Sequence, residues 1–167
     1  MTNNRIELIN CNPEILNWII EGDDVLAKNL KINVPKDWTE FGTDIFKISL
    51  DAIVKKPSSL VWWTYLAVEV EKKSLIGNCG FKGEPISGFV EIGYEVCKTF
   101  RYQGYATKMV KELLAMAFKS KKVKSVLAHT LAENNPSVRV LKKNGFNFIE
   151  DIFDEEDGNL WKWVLVR

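Results

Sequence analysis

Glu91 and Glu95 lie in the run Glu91-Ile-Gly-Tyr-Glu-Val-Cys97, whose composition and patterning are those of a β-strand. Side chains alternate along a strand, so Glu91, Gly93, Glu95 and Cys97 share one face, and Ile92, Tyr94 and Val96 share the other. Two carboxylates on one face, beside a ligand loop, are candidates for removing a proton from a bound group. Such a loop follows at once. Arg101-Tyr-Gln-Gly-Tyr-Ala-Thr107 is a short glycine-containing turn that runs into a helix. It can aim several backbone N–H groups at one point, and the helix start adds unpaired donors and a positive dipole end. The chemistry it suits is the binding of an anion such as a pyrophosphate. Gly104 lets the backbone approach that anion closely, and Ala106 is small for the same reason. The Gly-Lys-Ser/Thr ending of a nucleotide phosphate loop is absent, as are the three spaced glycines of a dinucleotide fold.

Other reactive side chains carry less. His129, the single histidine, stands near the end of a strand and reads as structural, although its ordinary pKa suits acid–base work. Cys97 shares the carboxylate face and reads as a buried, inert thiol. Trp38, Trp62, Trp63 and Tyr65 either wall an amine pocket by cation–π contact or belong to the core. Lys119-Ser-Lys-Lys-Val-Lys124 is a solvated helix end or a contact for a terminal phosphate. Glu150-Asp-Ile-Phe-Asp-Glu-Glu-Asp157 is a polar turn or an attractor of cations.

The elements that must position these residues are legible in outline. Asn12-Pro13 starts an amphipathic helix to about Leu30. Asp37 caps a second helix through Val54, with Phe41, Ile45, Ile48 and Ile53 as its apolar face, and Pro57 ends it. Strands are predicted over 60–70, 75–82 and 89–97, a helix over 105–119 and a strand over 123–130. A short helix runs from Asn135-Pro136 to Gly145, and strands over 146–153 and 160–166 pair around Asp157-Gly158. The fold class is α/β, a mixed α+β arrangement with a mostly antiparallel central sheet, a helix crossover and flanking helices.

The 167 residues are expected to form a single domain, 1–167. The net charge of +1, from 23 basic and 22 acidic side chains, gives no electrostatic case for a nucleic-acid or membrane partner. No apolar run approaches the roughly 20 residues that cross a bilayer. The start at Met1-Thr-Asn-Asn-Arg5 is polar, unlike a signal peptide. Three widely spaced cysteines fit neither a disulfide framework nor a metal site. The expectation is a cytoplasmic protein without metal, monomeric or homodimeric.

Two segments together resemble the GNAT superfamily of N-acetyltransferases. Arg101-x-x-Gly104-x-Ala106 resembles its pyrophosphate motif. Glu133-Asn-Asn-Pro-Ser-Val-Arg-Val-Leu-Lys-Lys-Asn-Gly-Phe146 resembles the second motif of the branch that includes the ribosomal-protein N-terminal acetyltransferases. The likeness runs from about Leu60 to the C-terminus. It implies acetyl-CoA as co-substrate, with Arg101 among the cofactor-binding residues and the pyrophosphate on the N–H groups of Tyr102, Gln103, Gly104, Tyr105, Ala106 and Thr107. It implies a pantetheine arm laid along Tyr94, Glu95 and Val96 and held by Asn134 and Ser137. The implied reaction is acetyl transfer to a primary amine by direct attack, the acceptor being a small molecule or a protein N-terminus. Glu91 sits where this branch often carries an acid and is the candidate base; Ser137 is the second candidate catalytic residue. The position where many of these enzymes carry a proton-donating Tyr is Leu141. The competing reading is a non-catalytic acyl-CoA-binding sensor.

Overall fold

The computed structural model describes residues 4–167; Met1 to Asn3, part of the polar start, lie outside them. Among the described residues seven strands and five α-helices follow one another. They are β1 (Ile6–Asn10), α1 (Pro13–Glu21), α2 (Asp23–Leu30), α3 (Asp44–Lys55), β2 (Thr64–Glu69), β3 (Ser74–Phe81), β4 (Phe89–Val96), α4 (Tyr105–Lys119), β5 (Ser125–Leu131), α5 (Pro136–Lys143), β6 (Asn147–Asp154) and β7 (Gly158–Val166). The sheet order is β1-β2-β3-β4-β5-β7-β6. Every neighbouring pair is antiparallel except β4 and β5, which are parallel. Parallel neighbours need a crossover, and α4 supplies it.

The sheet divides two cores. On one face Met109, Val110, Leu113 and Ala117 of α4 and Leu141 of α5 pack against Ile76, Val90, Ile92, Val126 and Ala128. On the other, Leu16, Leu26, Phe46 and Ile53 of α1, α2 and α3 pack against Leu66, Val68, Leu75 and Cys97. The two clusters fix which way each β4 side chain points. Even-numbered residues face α4, and odd-numbered residues face α1 to α3.

Both predicted caps form. The Asn12 side chain accepts from Ile15 N at 2.9 Å, and the Asn135 side chain from Val138 N at 3.1 Å. Other expectations require correction. The first helix breaks in two at Gly22, whose φ of 145° is open only to a residue without Cβ. The second helix starts at Asp44, not Asp37, which adopts a left-handed φ of 53° in the preceding turn. Its buried stripe is Phe46, Ser49 and Ile53, whereas Phe41, Ile45 and Ile48 are exposed. Residues 57–62 form a 3-10 turn, so the following strand starts at Thr64. β1 is an element the sequence reading does not contain.

Candidate active site

The site lies where β4 and β5 part. They pair only at Phe89, Val90 and Glu91, against Ser125, Val126 and Leu127. Beyond that, β5 follows β7 to Leu131 while β4 stays with β3 to Val96. The Glu91 carbonyl accepts from Lys82 N at 2.9 Å, and Cys97 N donates to the Ile76 carbonyl at 2.8 Å. Odd-numbered residues therefore spend their backbone groups on β3, and Ile92, Tyr94 and Val96 turn theirs toward the gap. Arg101 Nε occupies the Val96 carbonyl at 3.1 Å. The N–H and C=O of Tyr94 and the N–H of Val96 remain along an open strand edge.

The turn into α4 adds a second set of donors. Its left-handed residues are Tyr102 at φ 61° and Gly104 at φ 83°. The first main-chain bond of the helix runs from Lys108 N to the Gly104 carbonyl, at 3.2 Å. The N–H groups of six consecutive residues, Tyr102 to Thr107, find no main-chain acceptor among the described residues. Unsatisfied donors at a helix start, with the dipole behind them, make a cradle for a multiply charged anion.

Strand edge and cradle open onto one cleft of about 510 Å³. Of the sequence-predicted residues, Tyr94, Glu95, Val96, Arg101, Tyr102, Gly104, Tyr105, Ala106, Thr107 and Ser137 line it. Gln103 is exposed, its amide donating to the Thr99 carbonyl at 3.3 Å, and Asn134 is exposed in the β5–α5 loop. Arg139 and Lys143, one turn apart on α5, also line the cleft and bring two cations that sequence reasoning missed. The signal for them was their spacing on the helix that starts at the second motif. The Lys119 to Lys124 run lies at the other end of α4, roughly 20 Å from the cradle at 1.5 Å per residue. Tyr94 reaches across the gap, its hydroxyl donating to the Ser137 carbonyl at 3.3 Å. Burial pushes this hydroxyl up to about 12, so it stays protonated. Leu141 points into the core and is fully buried.

The carboxylate face looks toward α1–α3. Glu95 is buried and accepts from Thr39 Oγ1 at 2.8 Å, Glu40 N at 2.6 Å and Asn78 Nδ2 at 3.0 Å. It ties the α2–α3 loop to the sheet. The Arg101 guanidinium does the same from the cradle side, with Glu40 at 2.9 Å. Glu91 Oε1 takes Lys82 Nζ at 2.5 Å and His129 Nδ1 at 2.8 Å. Burial pushes the Glu91 carboxyl up, but these two donors outweigh it and hold the group below the usual carboxylate range. Trp38 and Tyr65 are core residues; Trp63 is anchored by its indole N–H on Ser59 Oγ at 3.1 Å, and Trp62 stacks edge-on with Phe81. Among the described residues no cluster of His, Cys, Asp and Glu is placed to hold a metal, and no helix is long and apolar enough to cross a membrane.

Known proteins share this fold. The family described as the acetyltransferase (GNAT) domain matches residues 9–147. The uncharacterized N-acetyltransferase YjdG of Bacillus subtilis is 23% identical over 98% of this chain and 95% of its own length. Among solved structures, the ribosomal L7/L12 α-N-protein acetyltransferase RimL, in complex with coenzyme A, superposes with a TM-score of 0.70 at 14% identity, covering 99% of this chain and 96% of that one. The spermidine/spermine N-acetyltransferase SpeG of Vibrio cholerae gives 0.71 at 13%, over 99% and 95%. With the family match spanning most of the chain and the splayed strands and helix-start cradle in place, this protein belongs to the GNAT N-acetyltransferases.

Proposed function

We propose that this enzyme moves the acetyl group of acetyl-CoA onto a primary amine by direct attack. The observation that supports this most is the run of six unspent N–H groups from Tyr102 to Thr107, continuous with the open edge at Tyr94 and Val96. A pyrophosphate fits the first and an extended amide-bearing arm fits the second, as an added strand. Arg101 serves through its side chain, which holds the Val96 carbonyl and the strap to Glu40, and Arg139 and Lys143 add charge to the phosphate side. Asn134 is assigned to the amides of the arm from the β5–α5 loop. The arm then ends at the parting of β4 and β5, beside Ser137 and within reach of the face that carries Glu91.

Ser137 and Tyr94 take the place of the missing phenol at Leu141. The Ser137 hydroxyl donates to the departing thiolate, and Tyr94 holds the α5 start in place. No cysteine is available for a covalent route. Cys11, Cys79 and Cys97 are all buried, and burial pushes the Cys11 thiol up to about 12. The acceptor is a cationic amine. Glu155, Glu156 and Asp157 are exposed at the β6–β7 turn, on a chain of near-zero net charge. Polyamines and protein N-termini, the acceptors in the names of SpeG and RimL, both meet that description.

The test is a thiol readout with acetyl-CoA and a panel of polyamines, amino acids, amino sugars and N-terminal peptides. The proposal expects thiol release that depends on one class of amine. Saturable acetyl-CoA binding with no thiol release from any amine would favour the acyl-CoA-binding module instead.

A further inference from the structure

We propose that His129 is the residue that takes the proton from the acceptor amine, through Nε2, and that Glu91 acts by holding its ring. The inference deepens the proposed function and rests on it.

The geometry begins with the last β4–β5 pair, Glu91 with Leu127. Two residues further, on the same face of each strand, stand Gly93 and His129. They would be the next pair had the strands not parted. Gly93 brings no side chain, and a Cβ there would meet only Lys82 Cε, at 3.8 Å. His129 is thus the first β5 side chain on the carboxylate face beyond the parting, opposite an empty position and next to the open edge at Tyr94.

The ring's orientation follows from donor arithmetic. Lys82 Nζ can only donate, and an ionised Glu91 can only accept. Both Lys82 and His129 Nδ1 meet the same Glu91 oxygen. His129 Nδ1 must therefore carry a proton, which leaves the lone pair of the neutral ring on Nε2. Nε2 has no hydrogen-bond partner among the described residues, and the side chain keeps 20% of its surface exposed. Glu91 itself is engaged twice and is the weaker base.

The step balances. The substrate ammonium gives one proton to Nε2, and the freed amine attacks the thioester carbonyl carbon. The C–N bond forms and the C–S bond breaks. The Ser137 hydroxyl gives its proton to the departing sulfur and is restored by a second proton of the nitrogen, and the imidazolium returns its proton to solvent. The charged groups that face the ring are Glu91 on β4 and Lys82 after β3. On the other side they are Lys162 on β7, its ion-pair partner Glu150 on β6, and Asp154 at the β6 end.

One histidine in the chain makes the test direct. Nitrogen-15 correlation spectra of the wild-type protein, without ligand, should show Nδ1 protonated and Nε2 bare above the ring's pKa. The low-pH limb of kcat/KM should fall at the same pKa. Glu91→Gln keeps an acceptor for Nδ1 but removes the negative charge, so both values should move down together. His129→Gln should lose about 10²–10³-fold in kcat/KM with acetyl-CoA affinity unchanged by calorimetry. A bare Nδ1, a kinetic limb that ignores the titration of the ring, or a His129→Gln enzyme of near wild-type rate would each overturn the assignment. A wild-type protein that releases no thiol with any amine would overturn the proposed function, and His129's role with it, whatever the tautomer.

Discussion

Glu95 shows how one side chain on the candidate face can matter without touching the chemistry. Its carboxylate is buried and accepts from three donors, two of them from the α2–α3 loop. Replacing it by Ala leaves those donors without their acceptor at a largely buried position. Hydrogen bonds to a charged group are worth about 1.5–3 kcal/mol each, and the losses are not additive. Glu95→Ala should therefore lower the unfolding free energy by about 3 kcal/mol, read as a shift in the denaturant midpoint. An unchanged midpoint would mean that the carboxylate does not tie the loop. The strand pattern alone makes Glu91 and Glu95 equivalent; their partners separate them. Those partners lie 38 residues away in sequence for His129 and 56 for Thr39. Local spacing cannot encode such meetings, which is why His129 reads as a structural histidine until β4 and β5 are seen to part beside it.

At the level of elements, the joint between β4 and α4 is the part of the site most legible from local sequence. Gly104 marks the turn, and Tyr105 to Lys119 carries a clear apolar stripe, so the helix bounds agree with the reading residue for residue. The same joint supplies the sharpest element-scale prediction. A Cβ at Gly104 would meet no atom within 4 Å, so Gly104→Val should still fold. It loses about 1–2 kcal/mol to the left-handed backbone and sets a branched side chain beside the cradle. Its dissociation constant for acetyl-CoA should rise by about tenfold or more, the equivalent of 1.4 kcal/mol. Wild-type affinity in this variant would remove the cradle from the cofactor site. The elements misread are those whose signals are weak or opposed. β1 is five residues long and is defined by its pairing with β2. Gly22 is a single break in an otherwise continuous amphipathic pattern. Phe41, Ile45 and Ile48 have helical spacing but the buried stripe runs through Phe46, Ser49 and Ile53, because packing against α1 and the sheet, not periodicity, decides which face is covered.

Across the whole molecule, two cores on opposite faces of one sheet leave a single seam where β4 and β5 separate. The cradle opens on the α4 side of that seam, and Glu91 and His129 stand on the α1–α3 side. An acyl donor and an amine can thus approach one point from opposite faces of the sheet, which is what direct transfer requires. The most direct test of that account is a single-turnover experiment with protein in excess over acetyl-labelled acetyl-CoA. The buried cysteines keep the protein's own thiols from obscuring the product thiol. Without amine, the account predicts that the label stays on coenzyme A and that none remains on the denatured protein. With the accepted class of amine, label should appear as an amide, one for each free thiol released. Label bound to the protein before amine is added, or label that never leaves coenzyme A with any amine in the panel, would contradict it.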